Sequence, residues 1–151
     1  MYKELATEGK HEERRREVDA FNKEHKWRKR GLSLLPTKFG ISFGVKHFNQ
    51  GSALVHIYKD GSVLVAHGGH EMGQGLYTKC CQIAAQELGV PFDTVFTSDS
   101  ATNMVPNTSA TAASTGSDLN GYAVKNACAE LRERLAPYRE RYGPDATLKD
   151  M

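Results

Sequence analysis

The residues best suited to chemistry form a glycine-rich stretch, HGGHEMGQGLYTK, at positions 67–79. A strand-like run precedes it and a helical pattern follows, and Gly68, Gly69, Gly73 and Gly75 carry no side chains where the helix should begin. The N-terminus of a helix has unpaired N–H groups and a partial positive charge. The stretch therefore suits an anionic or hydrogen-bond-accepting ligand that approaches the main chain closely.

A second stretch of the same kind, SDSATNMVPNTSATAASTG, covers residues 98–116 and is mostly small and hydroxylated. It also leads into a helical pattern. Together the two stretches could enclose a bulky anionic cofactor. Small residues also allow helices to pack closely, and from the residue pattern alone this second explanation is favoured.

Nucleotide-binding loops are not supported by the spacing. Gly73 and Gly75 match the opening of a dinucleotide fingerprint, but Thr78 occupies the position that requires glycine or alanine. No glycine directly precedes Lys79, as a phosphate-binding P-loop would require. No serine has the G-x-S-x-G setting of a hydrolase nucleophile.

Metal coordination by side chains is also disfavoured. His67, His70 and Glu71 are of ligand type, but their spacing matches no helical zinc pattern and no second cluster completes a site. The chain has 3 cysteines, of which two are adjacent, so we expect reduced and mostly packed thiols.

The composition bounds the class of protein. The chain has 151 residues, 39% of them hydrophobic and 25% charged, which is typical of one globular domain. No apolar run reaches the length of a membrane span, and the polar start has no apolar signal core, so we expect a soluble, intracellular protein. The net charge of +2 does not favour nucleic acid, although the basic segment 26–30 leaves a nucleic-acid-binding α+β module as an alternative.

The order of elements predicts an α+β fold with a mixed sheet, a β-hairpin and two helices that begin at the two small-residue loops. Residues 1–30 read as a charged helical lead-in, residues 31–69 as strands and a hairpin, residues 70–138 as loops and helices, and residues 139–151 as a polar tail without a core pattern.

Within this plan, alternating apolar residues predict a strand over 39–45. Two β-rich runs, 53–58 and 62–67, flank an Asp-Gly turn and predict a hairpin. A helix over 75–88, a short strand over 94–97 and a second helix ending before Pro137 should follow.

Three motifs carry a family resemblance: PTKFGISF at 36–43, the glycine-rich stretch at 67–79, and TNMVPNTSATAAS at 102–114. In this order and spacing the chain resembles the molybdenum-binding region of the xanthine dehydrogenase and aldehyde oxidase family. The resemblance implies an internal piece of a longer polypeptide. In that polypeptide, two [2Fe-2S] clusters and an FAD domain precede the molybdopterin domains.

The resemblance assigns roles to particular residues. Met72, Gly73 and Gln74 resemble positions beside the molybdopterin, with the Gln74 amide placed near the molybdenum without coordinating it. Thr111 and Ser114 resemble hydroxyl contacts to the pterin and phosphate end of the cofactor.

Substrate contacts are implied in the same way. Phe43 resembles the aromatic residue that meets a bound heterocycle edge to face, and Ala112 and Ala113 resemble the small residues that leave room for substrate. The sequence departs from the common family pattern at Gly44, His70, Ala110 and Gly116, and a side-chain hydroxyl is absent at the first, second and last of these.

The implied reaction is hydroxylation of hypoxanthine and xanthine to urate, with water as the oxygen source and electrons passing through iron–sulfur clusters and FAD to NAD. Oxidation of aldehydes is the alternative within the same family. We further expect a cytoplasmic homodimer, with the peroxisome as the alternative location, and no membrane or nucleic-acid partner. No catalytic residue of the family falls within this segment, so the 151 residues alone are predicted to be inactive.

Overall fold

The computed structural model describes all residues 1–151, which form two compact units, residues 1–39 and residues 40–151. The first unit contains helices α1 (Tyr2–Glu8) and α2 (His11–Glu24), neither of which has a buried residue. Most of the first 24 residues are thus helical and solvated, with a break at Gly9 and Lys10, where Lys10 adopts a left-handed conformation with φ of 49°.

An irregular segment, residues 25–39, completes the first unit. The Asn22 side chain pairs with the backbone N–H and carbonyl of Arg30 at 2.8 and 2.9 Å. The Arg30 guanidinium lies 3.9 Å from the centre of the Phe21 ring, within the range of a cation–π contact. Part of the basic segment is thus engaged in contacts within its own unit.

The second unit is built on a three-stranded sheet in the order β1 (Ala53–Ile57), β2 (Val63–His67) and β3 (Val95–Thr97). β1 and β2 pair antiparallel with Val55 opposite Val65, and β2 and β3 pair parallel. The predicted hairpin is confirmed, and its turn contains Gly61 at φ of 85°, a conformation that glycine adopts without strain.

Two long helices cover this sheet. α3 (Leu76–Leu88) connects the parallel strands β2 and β3, and α4 (Gly116–Tyr142) packs on α3, β1 and β2. Single-turn 3₁₀ helices occupy Lys46–Phe48 and Phe92–Thr94. The core lies between the sheet and the helices, and its largest fully buried members are Leu76, Leu88, Val63, Val65, Val124, Cys80 and Cys128.

α3 and α4 pack closely at Gly121, where an added Cβ would lie 2.7 Å from Cδ1 of Ile83 on α3 and that side chain would have to shift. The α+β class with a mixed sheet and two helices beginning at the small-residue loops is confirmed. No helix in the structure combines the length and the apolar character needed to cross a membrane.

Three local predictions are wrong. Residues 39–45 form no strand, because the sheet offers them no partner and Ser42 has a φ of 104°, which is outside the extended region. α4 continues through Pro137 to Tyr142, where exposure to water can satisfy the carbonyl that proline leaves unpaired. The tail contributes to the core through Leu148, which is 8% exposed.

Candidate cofactor-binding site

The loop between β2 and α3 contains glycines of two kinds. Gly73 and Gly75 have φ of 94° and 75°, and a Cβ on either would meet no atom within 4 Å. A Cβ on Gly68 would lie 1.9 Å from Cγ2 of Thr108, and one on Gly69 would lie 2.4 Å from a methyl group of Leu76. The backbone is therefore bare toward open space only at Gly73 and Gly75, whereas the protein itself packs against the other two.

The carboxylate of Glu71 occupies the N-terminal end of α3. Its Oε1 accepts hydrogen bonds from the N–H groups of Gly73 and Gly75 at 2.9 and 3.0 Å, and its Oε2 accepts one from Tyr77 N–H at 3.0 Å. These bonds, led by that of Tyr77, lower the pKa of Glu71. In the sequence, Glu71 was considered only as a metal ligand and rejected. The start of α3 was predicted to bind an anionic ligand, but in the structure the Glu71 carboxylate already occupies its N–H groups.

The Gln74 amide folds back on its own loop. Its Oε1 accepts a hydrogen bond from Met72 N–H at 2.6 Å, and its Nε2 donates one to the carbonyl of His70 at 2.8 Å. In this conformation the amide fixes the main chain around Met72, whose side chain is 64% exposed.

The second loop meets the first directly. The hydroxyl oxygen of Thr111 accepts a hydrogen bond from His70 N–H at 2.8 Å. Ala113 and Ser114 then turn the chain with φ of 53° and 56°, and Thr115 donates both its N–H and its hydroxyl to the carbonyl of Ala112 before α4 begins. The two small-residue stretches thus come together in space.

A cavity of about 460 Å³ lies between the starts of α3 and α4, within the usual size of ligand pockets. Its lining consists of Met72, Gln74, Leu76, Lys79, Thr111, Ala112, Ser114, Gly116 and Ser117. Lys79 Nζ donates a hydrogen bond to the hydroxyl of Ser117 at 3.1 Å, which holds a positive charge beside the first turn of α4. Sequence reasoning gave no role to Lys79 or Ser117, although the helical spacing of Lys79 after the glycine loop was visible.

Phe43 lines a different cavity of about 540 Å³, together with residues that include Phe48, Thr108 and Ala110. The Phe43 ring stands edge-on to Phe48 with centroids 5.9 Å apart. The segments that carry Phe43 and Ala112 are joined by a main-chain hydrogen bond, which Ser42 N–H donates to the carbonyl of Ala113 at 3.1 Å. Among the residues predicted for substrate, Ala112 lines the first cavity, Phe43 the second, and Ala113 neither.

His67 is a buried histidine behind the loop, 2% exposed. Its Nδ1 accepts a hydrogen bond from Gly69 N–H at 3.2 Å, and its ring stands edge-on to Tyr77. Burial lowers the pKa of His67, and the nearby Glu71 carboxylate opposes that shift. No group of three metal-binding side chains is present, and the cysteines are free and buried.

The chain matches the family model of the molybdopterin cofactor-binding domain over residues 4–149. It is 62% identical over 151 residues to a xanthine dehydrogenase of Emericella nidulans, covering 100% of this chain and 11% of that protein. A nicotinate hydroxylase of the same organism is 57% identical over 149 residues, 98% of this chain and 11% of that protein. A xanthine dehydrogenase/oxidase of Felis catus is 50% identical, covering 99% and 11%.

The fold is also similar to that of a solved molybdenum enzyme. A Cu,Mo-CO dehydrogenase in its carbon monoxide reduced state matches with a TM-score of 0.57 at 28% identity, covering 62% of this chain and 12% of that chain. This chain thus spans about a ninth of the length of the curated relatives, 11% in each of the three cases. Because the family model covers nearly every residue, including both loops that enclose the cavity, the chain belongs to the molybdopterin cofactor-binding domain family.

Proposed function

We propose that the protein containing this segment is a molybdenum hydroxylase of the xanthine dehydrogenase type and that residues 40–151 hold part of its molybdopterin cofactor. The observation that carries the proposal is the shared cavity of Gln74 and Thr111, whose two loops are joined by the hydrogen bond from His70 N–H to Thr111. Membership of the molybdopterin cofactor-binding family supports the identity of the ligand.

The donor set of the cavity fits a cofactor with an anionic end. Lys79, Ser114 and Ser117 present an ammonium group and two hydroxyls, and the first turn of α4 presents backbone N–H groups beside them. Gly73 leaves its backbone open toward solvent on the α3 side. We assign the phosphate to the α4 side, because the α3 N-terminus is already neutralised by Glu71.

The residues on the α3 side of the cavity would contact the rest of the cofactor. Met72 and Gln74 would lie along the body of the cofactor, with the Gln74 amide able to exchange its loop contacts for contacts near the molybdenum. When bound, the cofactor supplies a two-electron oxidation of the substrate. This chain's residues bind and orient it and exclude water from one side.

For the substrate we propose a purine, with hypoxanthine and xanthine converted to urate. Phe43 is half-buried in the neighbouring cavity and could meet a flat heterocycle edge to face, while the small side chains of Ala112 and Ala113 would leave room for the substrate. An aldehyde is the alternative substrate. The relatives of this chain include a xanthine dehydrogenase and a nicotinate hydroxylase at similar identity, so overall sequence identity does not distinguish these two substrates.

For the whole protein we propose two [2Fe-2S] clusters, FAD, NAD as electron acceptor, a homodimeric assembly and a cytoplasmic location. These follow from the family resemblance of the motifs at 36–43, 67–79 and 102–114. Iron and flavin analysis of the purified full-length protein would test the clusters and FAD, and its turnover with NAD and its mass in solution would test the electron acceptor and the dimer.

Cofactor retention by the full-length protein tests the site. Ala112→Phe places a large side chain in the cavity, and we expect its molybdenum and pterin content to fall about tenfold or more, since overpacking a site costs about 1–3 kcal/mol. Ala101→Phe is the matched control, because Ala101 is exposed in the same loop and outside the cavity. Wild-type cofactor content in a folded Ala112→Phe variant would refute the proposed site.

Turnover by the full-length protein tests the substrate. We expect xanthine to be oxidised faster than a simple aromatic aldehyde or nicotinate, and Phe43→Leu to raise KM for xanthine. Faster oxidation of the aldehyde would favour the alternative, and absence of purine turnover by cofactor-loaded protein would exclude the purine assignment.

A further inference from the structure

We propose that Glu71 is a positioning residue that sets the shape of the cofactor-facing loop 72–75 by gathering three backbone N–H groups on its carboxylate. The inference rests on the proposed function, since the loop matters only if the cavity holds the cofactor. Glu71 itself does not line the cavity, so it would act through Met72 and Gln74, which do.

The three hydrogen bonds define a concave backbone surface. Both oxygens of the carboxylate are used, Oε1 by Gly73 and Gly75 and Oε2 by Tyr77, at 2.9–3.0 Å. Gly73 and Gly75 both have positive φ, and the N–H groups of alternate residues, Gly73, Gly75 and Tyr77, meet on one carboxylate, which resembles the backbone anion sites of other proteins. Here the anion that the backbone encloses belongs to the chain itself.

Little else in the protein holds this loop. A Cβ on Gly73 or Gly75 would meet no atom within 4 Å, so the side of each residue on which a side chain would stand is open. Apart from Glu71, the fastenings are the Gln74 amide and the Thr111 hydroxyl, which hold Met72 and His70. The N–H groups on either side of Gln74, those of Gly73 and Gly75, are both held by Glu71, and the carbonyl of Gly75 accepts the N–H of Lys79 within the first turn of α3.

The ionised carboxylate is chemically required for this arrangement. A carboxylate offers only acceptors, whereas an amide offers one oxygen and an NH₂ group that is a donor. In Glu71→Gln at least one of the Gly73, Gly75 and Tyr77 N–H groups would face another donor. The shape of the side chain is retained, so the variant tests the hydrogen bonds rather than the space.

The experiment compares Glu71→Gln, Glu71→Asp and Glu87→Gln in the full-length protein. Glu87 is the matched control, because it lies at the other end of α3 and pairs with Lys125 and Arg132, at 3.7 and 3.4 Å, outside the cavity. The readouts are hydrogen exchange of the backbone amides in residues 72–77 of cofactor-free protein and the rate of pterin release from loaded protein.

For Glu71→Gln we expect exchange of these amides and release of pterin to be about tenfold faster than in the wild type, the factor that loss of one charge-assisted hydrogen bond gives. Glu71→Asp should restore part of both, since it keeps two acceptor oxygens, and Glu87→Gln should change neither. Equal exchange and release in Glu71→Gln and Glu87→Gln would overturn the inference.

The proposed cofactor site and the proposed role of Glu71 can fail separately. If Ala112→Phe loses cofactor while Glu71→Gln keeps wild-type exchange and release, the site stands and the role of Glu71 falls. If Glu71→Gln speeds amide exchange but neither variant affects pterin, the loop geometry stands and the proposed function falls.

Discussion

Replacing Gly68 by alanine should destabilise the second unit by separating its two loops. The Cβ added to Gly68 would lie 1.9 Å from Cγ2 and 2.3 Å from Cβ of Thr108. Cβ is fixed to the main chain, so no side-chain rotation of Thr108 removes the overlap and the backbones must move apart.

The magnitude follows from two opposing terms. Overpacking of this kind costs about 1–3 kcal/mol, and the upper end applies because a main-chain-linked atom is involved. The loss of unfolded-state entropy on changing glycine to alanine returns about 0.4–1 kcal/mol. We expect a net loss of about 2 kcal/mol, or a thermal midpoint lower by about 8 °C.

Far-UV circular dichroism is the suitable assay, since α3 and α4 lie in the second unit whereas Trp27, the single tryptophan, lies in the first. Gly44→Ala is the control, because a Cβ there meets nothing within 4 Å. In the Gly68→Ala background, Thr108→Gly should restore stability and Thr108→Ala should not, since alanine keeps the overlapping Cβ. Equal stability of Gly68→Ala and Gly44→Ala, or equal rescue by both Thr108 variants, would refute the reasoning.

Further outcomes test the core, the hairpin turn and a thiol. Leu76→Ala should cost about 3 kcal/mol in thermal unfolding, because Leu76 is fully buried, whereas Leu35→Ala, at a side chain that is 80% exposed, should cost less than about 0.5 kcal/mol. Hydrogen bonds from Ser62 lower the pKa of Asp60. The stability that these bonds contribute is therefore present above the ordinary pKa of 3.8 and is lost as the pH falls through the lower pKa of the folded state. Ser62→Ala should raise the pKa of Asp60 toward 3.8 in an NMR titration. Burial raises the pKa of Cys80 to about 12, so the folded protein should resist alkylation there at neutral pH and react once unfolded.

The elements that sequence predicts well are those fixed by local chemistry. The hairpin followed from Asp60 and Gly61 between two β-rich runs, and α3 followed from its apolar spacing and the glycine at position 89, which adopts the left-handed conformation at the helix end. These signals act over a few residues, so no knowledge of the rest of the fold was needed.

The features that sequence missed depend on partners far along the chain. Residues 39–45 alternate as a strand does, but a strand forms only where another strand pairs with it. Gly68 looked like a bare ligand-facing position, and only the fold shows that Thr108 fills the space. The contacts of Glu71 could not be predicted because its carboxylate reaches forward to a helix that begins several residues later, a spacing that fits no common capping pattern.

The two helix starts, alike in composition, differ in electrostatics. At α3 the N–H groups of Gly75 and Tyr77 already face a carboxylate, so a second anion there would meet like charge. At α4 the first turn is approached by the ammonium group of Lys79, which projects from α3 to the hydroxyl of Ser117. Lys79 on α3 thus places an ammonium group beside the first turn of α4, a turn that also carries the carboxylate of Asp118 outside the cavity lining. We therefore expect an anionic ligand to place its charged end beside Lys79 rather than beside Glu71, which would orient a cofactor that must present its reactive end to a substrate.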